Sequence, residues 1–157
     1  MKRPGWHQYF METALLVATR TTCLRRKVGA VLVKNNQIIA SGYNGAPKGI
    51  THCSVTGCLR KKMNVPSGKM HELCRGTHAE QNAIIQAAVN GTSIAGAILY
   101  CTTQPCIICS KMLINSEIST VYIAESYDDK FALEMLKEAG IKLIKVDKDT
   151  GECINVY

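Results

Sequence analysis

Residues 78 to 80 read His-Ala-Glu, and residues 105 to 109 read Pro-Cys-Ile-Ile-Cys. An imidazole and two thiols spaced one helical turn apart are ligand types that zinc favours. Three protein ligands leave the fourth tetrahedral position open for water, the mark of a catalytic rather than a structural metal. A carboxylate two residues from the imidazole would stand beside that open position, able to move protons. Each half also has a plainer use. Thr77 followed by Glu80 fits a capping box, in which each side chain satisfies one orphan amide of a helix start. Cys106 and Cys109 after a strand also match the placing of a redox pair, but that reading gives His78 and Glu80 no purpose.

The chain holds eight cysteines. Its opening, MKRPGWHQYF, has no continuous apolar run of the signal-peptide kind, so a soluble, cytoplasmic and reducing setting is expected. There, clustered Cys and His bind metal more often than they form disulfides. Cys23, Cys53, His71 and Cys74 would make a second, structural Cys3His zinc site, with Cys58 as the spare or as a substitute for Cys23. Their plainer use is as small buried residues. The segment from 44 to 76 that carries most of them is rich in Gly, Pro, Cys and charge, and has no sustained period. A loop of that length inside a domain needs something other than a core to order it, and a metal is one such thing.

The elements around these residues alternate. At 157 residues, with 46% hydrophobic and 20% charged content, the chain reads as one globular domain over 1–157, with the 44–76 loop as a zinc-ordered insertion. Trp6, Phe10, Ala14, Val17 and Ala18 line one face of a helix running to about residue 20. VGAVLV (28–33) and QIIASGY (37–43) read as a hairpin turned by Asn35 and Asn36. Helices over 78–89, 106–115 and 128–139 then alternate with strands over 97–103, 120–125 and 142–147. Strands separated by single helices imply a parallel half-sheet. The expected architecture is a three-layer α/β/α domain with one mixed five-stranded sheet. Pro105 belongs in the first turn of the 106–115 helix, whose positive end would favour the thiolates of Cys106 and Cys109.

Joined, the two motifs form H-x-E…P-C-x-x-C, the known signature of zinc-dependent nucleobase deaminases. From Arg26 onward the sequence resembles the deoxycytidylate (dCMP) deaminases of the cytidine deaminase superfamily. KVGAVLV (27–33), GYNGAPKG (42–49), HAEQNAI (78–84), PCIICSKMLINSEISTVYIAE (105–125) and Tyr127 carry the likeness. The resemblance implies a cytidine-deaminase-like fold and hydrolysis of dCMP to dUMP and ammonia, which would supply dUMP for thymidylate synthesis. It implies catalytic zinc on His78, Cys106 and Cys109, with Glu80 passing protons between water, ring N3 and the leaving amine. It places Asn44 on the sugar, and Tyr127 is expected at the substrate as a lid; phosphate recognition needs a cation, for which Arg26 ranks before Arg25 and Lys48. It further implies a homo-oligomer, commonly a hexamer, and dCTP and dTTP as effectors at a site including Gly42, Tyr43, Asn44 and Gly45. Some members of the family carry an extra zinc near the substrate loop.

Two rival functions remain in view. One is an adenosine deaminase acting on tRNA. The GYNG segment and Ser110-Lys111-Met112 after the second thiol speak against it, because that branch has other residues there. The other is a non-catalytic zinc module that binds nucleic acid, which would have no use for Glu80 beside an open coordination position. The net charge of +7 is accounted for by an anionic nucleotide substrate. Only Arg60-Lys61-Lys62 approaches a dense basic run, and neither specific nucleic-acid nor membrane binding is expected.

Overall fold

The computed structural model describes residues 3–157. Its single sheet has the order β2-β1-β3-β4-β5-β6, formed by Gly29–Lys34 (β1), Gln37–Tyr43 (β2), Ile98–Thr103 (β3), Thr120–Glu125 (β4), Lys142–Val146 (β5) and Cys153–Asn155 (β6). Asn35 and Asn36 turn the β1–β2 hairpin with φ of 52° and 57°, the left-handed pair that a two-residue turn of this hand requires. Strands β3, β4 and β5 run parallel, and the outer strands pair antiparallel.

Alternation along the strands separates two apolar layers. Val31, Val33, Tyr100 and Val146 face Phe10, Met11 and Ala14 of helix α1 (Trp6–Ala18). Leu32, Leu99, Val121, Ile123 and Leu143 face the other way. They meet Ala83 and Ala87 of α4 (Ala79–Val89), Leu113 of α5 (Ile107–Asn115) and Leu136 of α6 (Lys130–Glu138). The three-layer arrangement is therefore as expected. The sheet, however, has six strands rather than five. All three residues of β6 are exposed, so no apolar alternation marks it. It exists because the open edge of β5 offers it hydrogen-bonding partners, with Asp147 Oδ1 accepting from the amides of Asp149 and Thr150 to turn the chain back.

Two features of the fold position the site. Gly42, near the end of β2, lies against the first turn of α4, where a Cβ would collide with the carbonyl of Ala79 and the amide of Ala83. The missing side chain lets the start of α4 sit directly on the sheet. The 44–76 segment holds only short helices, α2 (Cys53–Thr56) and α3 (Leu59–Lys62), and a 3-10 turn at His71–Leu73. Its ends are pinned together, since Gly45 and Thr77 exchange both backbone hydrogen bonds at 3.1 and 2.8 Å.

Candidate active site

His78 is the residue before the first turn of α4, and Cys106 holds the same position on α5. Both helices begin at one edge of the sheet, so three sulfur and nitrogen atoms converge. His78 Nδ1 lies 3.5 Å from Cys106 Sγ and 3.4 Å from Cys109 Sγ. Tetrahedral zinc with its usual bond lengths places nitrogen and sulfur about 3.5 Å apart, so these residues fit the ion. Among the described residues, this is the group of three or more metal-ligating side chains whose ligand atoms all lie within 4.8 Å of one another.

The electrostatics agree. Cys106 is pulled down strongly, first by the hydrogen bond from the Cys109 thiol, while Cys109 is pushed up by sharing that same proton. The pair therefore holds one proton between two sulfurs, which a cation would replace. The Cys106 thiolate raises the His78 pKa by hydrogen bonding, against the effect of burial. Asp129 braces this end of the site. Its Oδ1 caps α6 through Ala132 N at 3.0 Å, and its Oδ2 accepts from Ile107 N at 2.9 Å, in the first turn of α5.

Glu80 is 4% exposed and lines the same cavity as His78 and Cys106. Burial raises its pKa, and that is the largest influence on it. The Thr77–Glu80 capping box, the plainer use of these residues, does not form. Gln81 takes the capping role, its Oε1 accepting from His78 N at 2.8 Å, and Thr77 N is committed to Gly45. The physical reason is a register shift: the helix starts one residue later than Thr77 would need. Glu80 therefore does not cap the helix start.

Other expected site residues are distributed unevenly. Asn44 lines the cavity, but its side chain is heavily engaged. Its Oδ1 accepts from Thr21 Oγ1 (2.6 Å) and Val28 N (2.9 Å), and its Nδ2 donates to Arg26 O (2.9 Å). Tyr127 also lines the cavity, its ring 4.9 Å beneath the exposed guanidinium of Arg26. Gly68 passes closely under the Tyr127 hydroxyl, where a Cβ would clash. Arg25 donates to Val65 O at 3.0 Å from the cavity wall, whereas Lys48 is exposed and lies outside the lining. Asn82 ties α4 to β2 by donating to Tyr43 O at 2.7 Å.

Cys23, Cys53, Cys58, His71 and Cys74 all face the cavity. Burial raises the Cys53 thiol, and after burial the nearby charges of Cys58, Cys74 and Cys23 add to it. The His71 ring instead meets that of His78 edge to face, with centroids 5.0 Å apart. The basic run is divided. Arg60 is buried in the cavity wall, while Lys61 and Lys62 are exposed. Sequence reasoning missed Arg60 because α3 is a single turn, too short for periodicity to show which face turns inward. Gln104, also buried at the cavity, was missed for want of any motif beyond its place before Pro105.

A three-layer α/β/α fold presenting His and two Cys at paired helix starts, beside a buried carboxylate, defines the class of zinc-dependent deaminases. The chain belongs to the cytidine and deoxycytidylate deaminase zinc-binding family, whose model matches residues 4–125. It is 43% identical over 144 residues to the deoxycytidylate deaminase of Schizosaccharomyces pombe, covering 90% of this chain and 44% of that protein. The chain thus spans less than half of that relative. It is 41% identical over 151 residues to ComE operon protein 2 of Bacillus subtilis, covering 95% of this chain and 75% of that protein. The crystal structure of the dCMP deaminase from cyanophage S-TIM5 in complex with dCMP and dUMP superposes with a TM-score of 0.75 at 32% identity, covering 93% of this chain and all of that one. No helix among the described residues is long and apolar enough to cross a membrane.

Proposed function

We propose that this chain catalyses the hydrolytic deamination of dCMP to dUMP and ammonia. The observation that carries the reading is the convergence of His78, Cys106 and Cys109 beside the buried Glu80. The similar cyanophage enzyme, solved with dCMP and dUMP, supports the choice of nucleotide. His78 Nδ1 and the two thiolates would hold zinc, which when bound would lower the pKa of a water at the open position. Glu80 would take the proton from the attacking water as its oxygen bonds to C4 and pass it to N3; it would then take the proton of the new C4 hydroxyl and pass it to the amine, so that the C4–N bond breaks, C4=O forms and ammonia leaves. Its raised pKa suits that exchange, since a carboxyl that holds its proton more readily can both accept and return it. Asn44 and Tyr127 border the substrate space, and Arg26 stands at its mouth over Tyr127. Assembly as a hexamer and regulation by dCTP and dTTP through Gly42 to Gly45 belong to the same proposal.

Ammonia release tests the reading with dCMP, cytidine and a tRNA anticodon stem as alternative substrates. The chain should act on dCMP with a kcat/KM well above that for cytidine, and leave the RNA untouched. A site that recognises a buried phosphate leaves cations unpaired when the phosphate is absent, and such sites discriminate by orders of magnitude. Equal efficiency on the nucleoside would remove the monophosphate assignment and keep the deaminase one.

A second, structural zinc is part of the same reading, held by Cys23, Cys53, His71 and Cys74, with Cys58 as the spare or as a substitute for Cys23. Cys58, Cys74 and Cys23 all act on the Cys53 thiol, which supports a cluster of sulfurs, while His71 sits against His78; among the described residues no three of these ligand atoms lie within 4.8 Å of one another, so the ion would have to draw them together. Purified, unchelated protein should contain about two zinc ions per chain, one per complete tetrahedral set. Replacing Cys53 and Cys74 together by Ser should lower that to about one. His71→Ala should leave it at two if Cys58 closes the set. A ratio of one in the unmodified protein would exclude the second metal.

A further inference from the structure

Among the described residues, five buried side-chain polar atoms have no hydrogen-bond partner, and four of them belong to residues that line the active-site cavity. They are Thr22 Oγ1, Arg60 Nε, His71 Nδ1 and Gln104 Nε2. Buried polar groups in folded proteins are almost always paired, so such a concentration marks a cavity shaped for a polar ligand. Arg60 is the costliest of the four, because a guanidinium keeps its charge at any working pH and cannot relieve burial by losing a proton.

Arg60 is 7% exposed, and its head is held from one side only. Its Nη2 donates to Lys69 O at 2.6 Å and to Pro66 O at 3.4 Å. These bonds fix the orientation of the guanidinium without neutralising it. Arg25, Arg26, Arg60 and Arg75 border the cavity against one carboxylate, Glu80, which the proton chemistry occupies. The other three arginines are placed differently. Arg26 is exposed above Tyr127, Arg25 donates to Val65 O and Arg75 to Thr51 O. A buried cation without a carboxylate is stable when an anionic ligand completes it. Phosphate oxygens match the directions in which a guanidinium donates.

We propose that Arg60 is a specificity-determining residue: its buried guanidinium binds the 5′-phosphate of the nucleotide being deaminated, with the free Nε–H as the reserved donor. The inference rests on the monophosphate reading given above and names the residue that enforces it. Arg26, at the mouth, then acts on approach rather than as the anchor.

The test compares Arg60→Gln and Arg60→Lys with the unmodified enzyme, on dCMP and deoxycytidine, and measures by calorimetry the binding of dUMP and deoxyuridine. Removing one member of a buried charge pair is expected to lower kcat/KM for dCMP on the order of 10²- to 10³-fold, mostly through KM. Deoxycytidine should lose far less, so the ratio between the two substrates collapses. The binding advantage of dUMP over deoxyuridine should shrink in step, with zinc content unchanged. Arg60→Lys keeps a charge but loses the fork, and should fall between. An equal loss on nucleotide and nucleoside would assign Arg60 to loop order and overturn the proposal. A nucleotide preference that survives both variants overturns it while leaving the monophosphate reading standing. An unmodified enzyme with no such preference removes both.

Discussion

Glu80→Gln leaves the metal bound and the fold intact while kcat/KM for dCMP falls by about 10²- to 10⁴-fold, the usual contribution of a positioned general acid and base. Glutamine fills the same volume, so the buried site, where this side chain is 4% exposed, keeps its packing. The helix start is unaffected because Gln81, not Glu80, accepts from the amide of His78. What is lost is the capacity to hold a proton between water, ring nitrogen and amine. The measurement pairs steady-state rates with zinc content on the same preparations. Metal content falling in proportion to activity would show that Glu80 is there to hold the ion.

His78→Ala or Cys109→Ala should lower activity by about 10⁴-fold or more, because the lowered pKa of the site's water disappears with the ion. Each variant should also contain about one zinc fewer per chain, since two remaining ligands hold the ion poorly. Cys109 is fully buried in α5, and alanine is a small change there, so the overall fold should persist. Zinc uptake by the metal-free protein should release protons, because the Cys106–Cys109 pair shares one when no ion is bound. Lowering the pH favours the protonated pair and weakens binding, and raising it strengthens binding. Equilibrium dialysis across neutral pH reads this slope. A pH-independent affinity, or full zinc content in Cys109→Ala, would remove that thiol from the ligand set.

Much of this was legible along the chain. His78, Glu80, Cys106 and Cys109 are marked by type and spacing, because a helix start fixes where side chains two or three residues apart point. Alternation in β1 and the Asn35–Asn36 turn specify the hairpin locally, and the apolar stripe of α1 specifies its buried face. These elements depend on neighbours in sequence, so sequence determines them.

The remainder depended on contacts between distant segments. Thr77 and Glu80 have the spacing of a cap, yet the pairing of Thr77 with Gly45 moves the helix start and hands the cap to Gln81. Strand β6 has no buried face to betray it and exists only as a partner for β5. In the 44–76 segment, composition announces metal-binding residue types but no period tells which side chains turn inward. Only the folded loop buries Arg60 while leaving Lys61 and Lys62 in water, and only there does His71 meet His78 rather than the thiols around Cys53. The sequence by itself therefore determined the chemistry at the metal and the layers that carry it. Which cation of the basic run lines the cavity was decided by tertiary structure, because a loop's inward face is set by what it packs against and not by its own repeat.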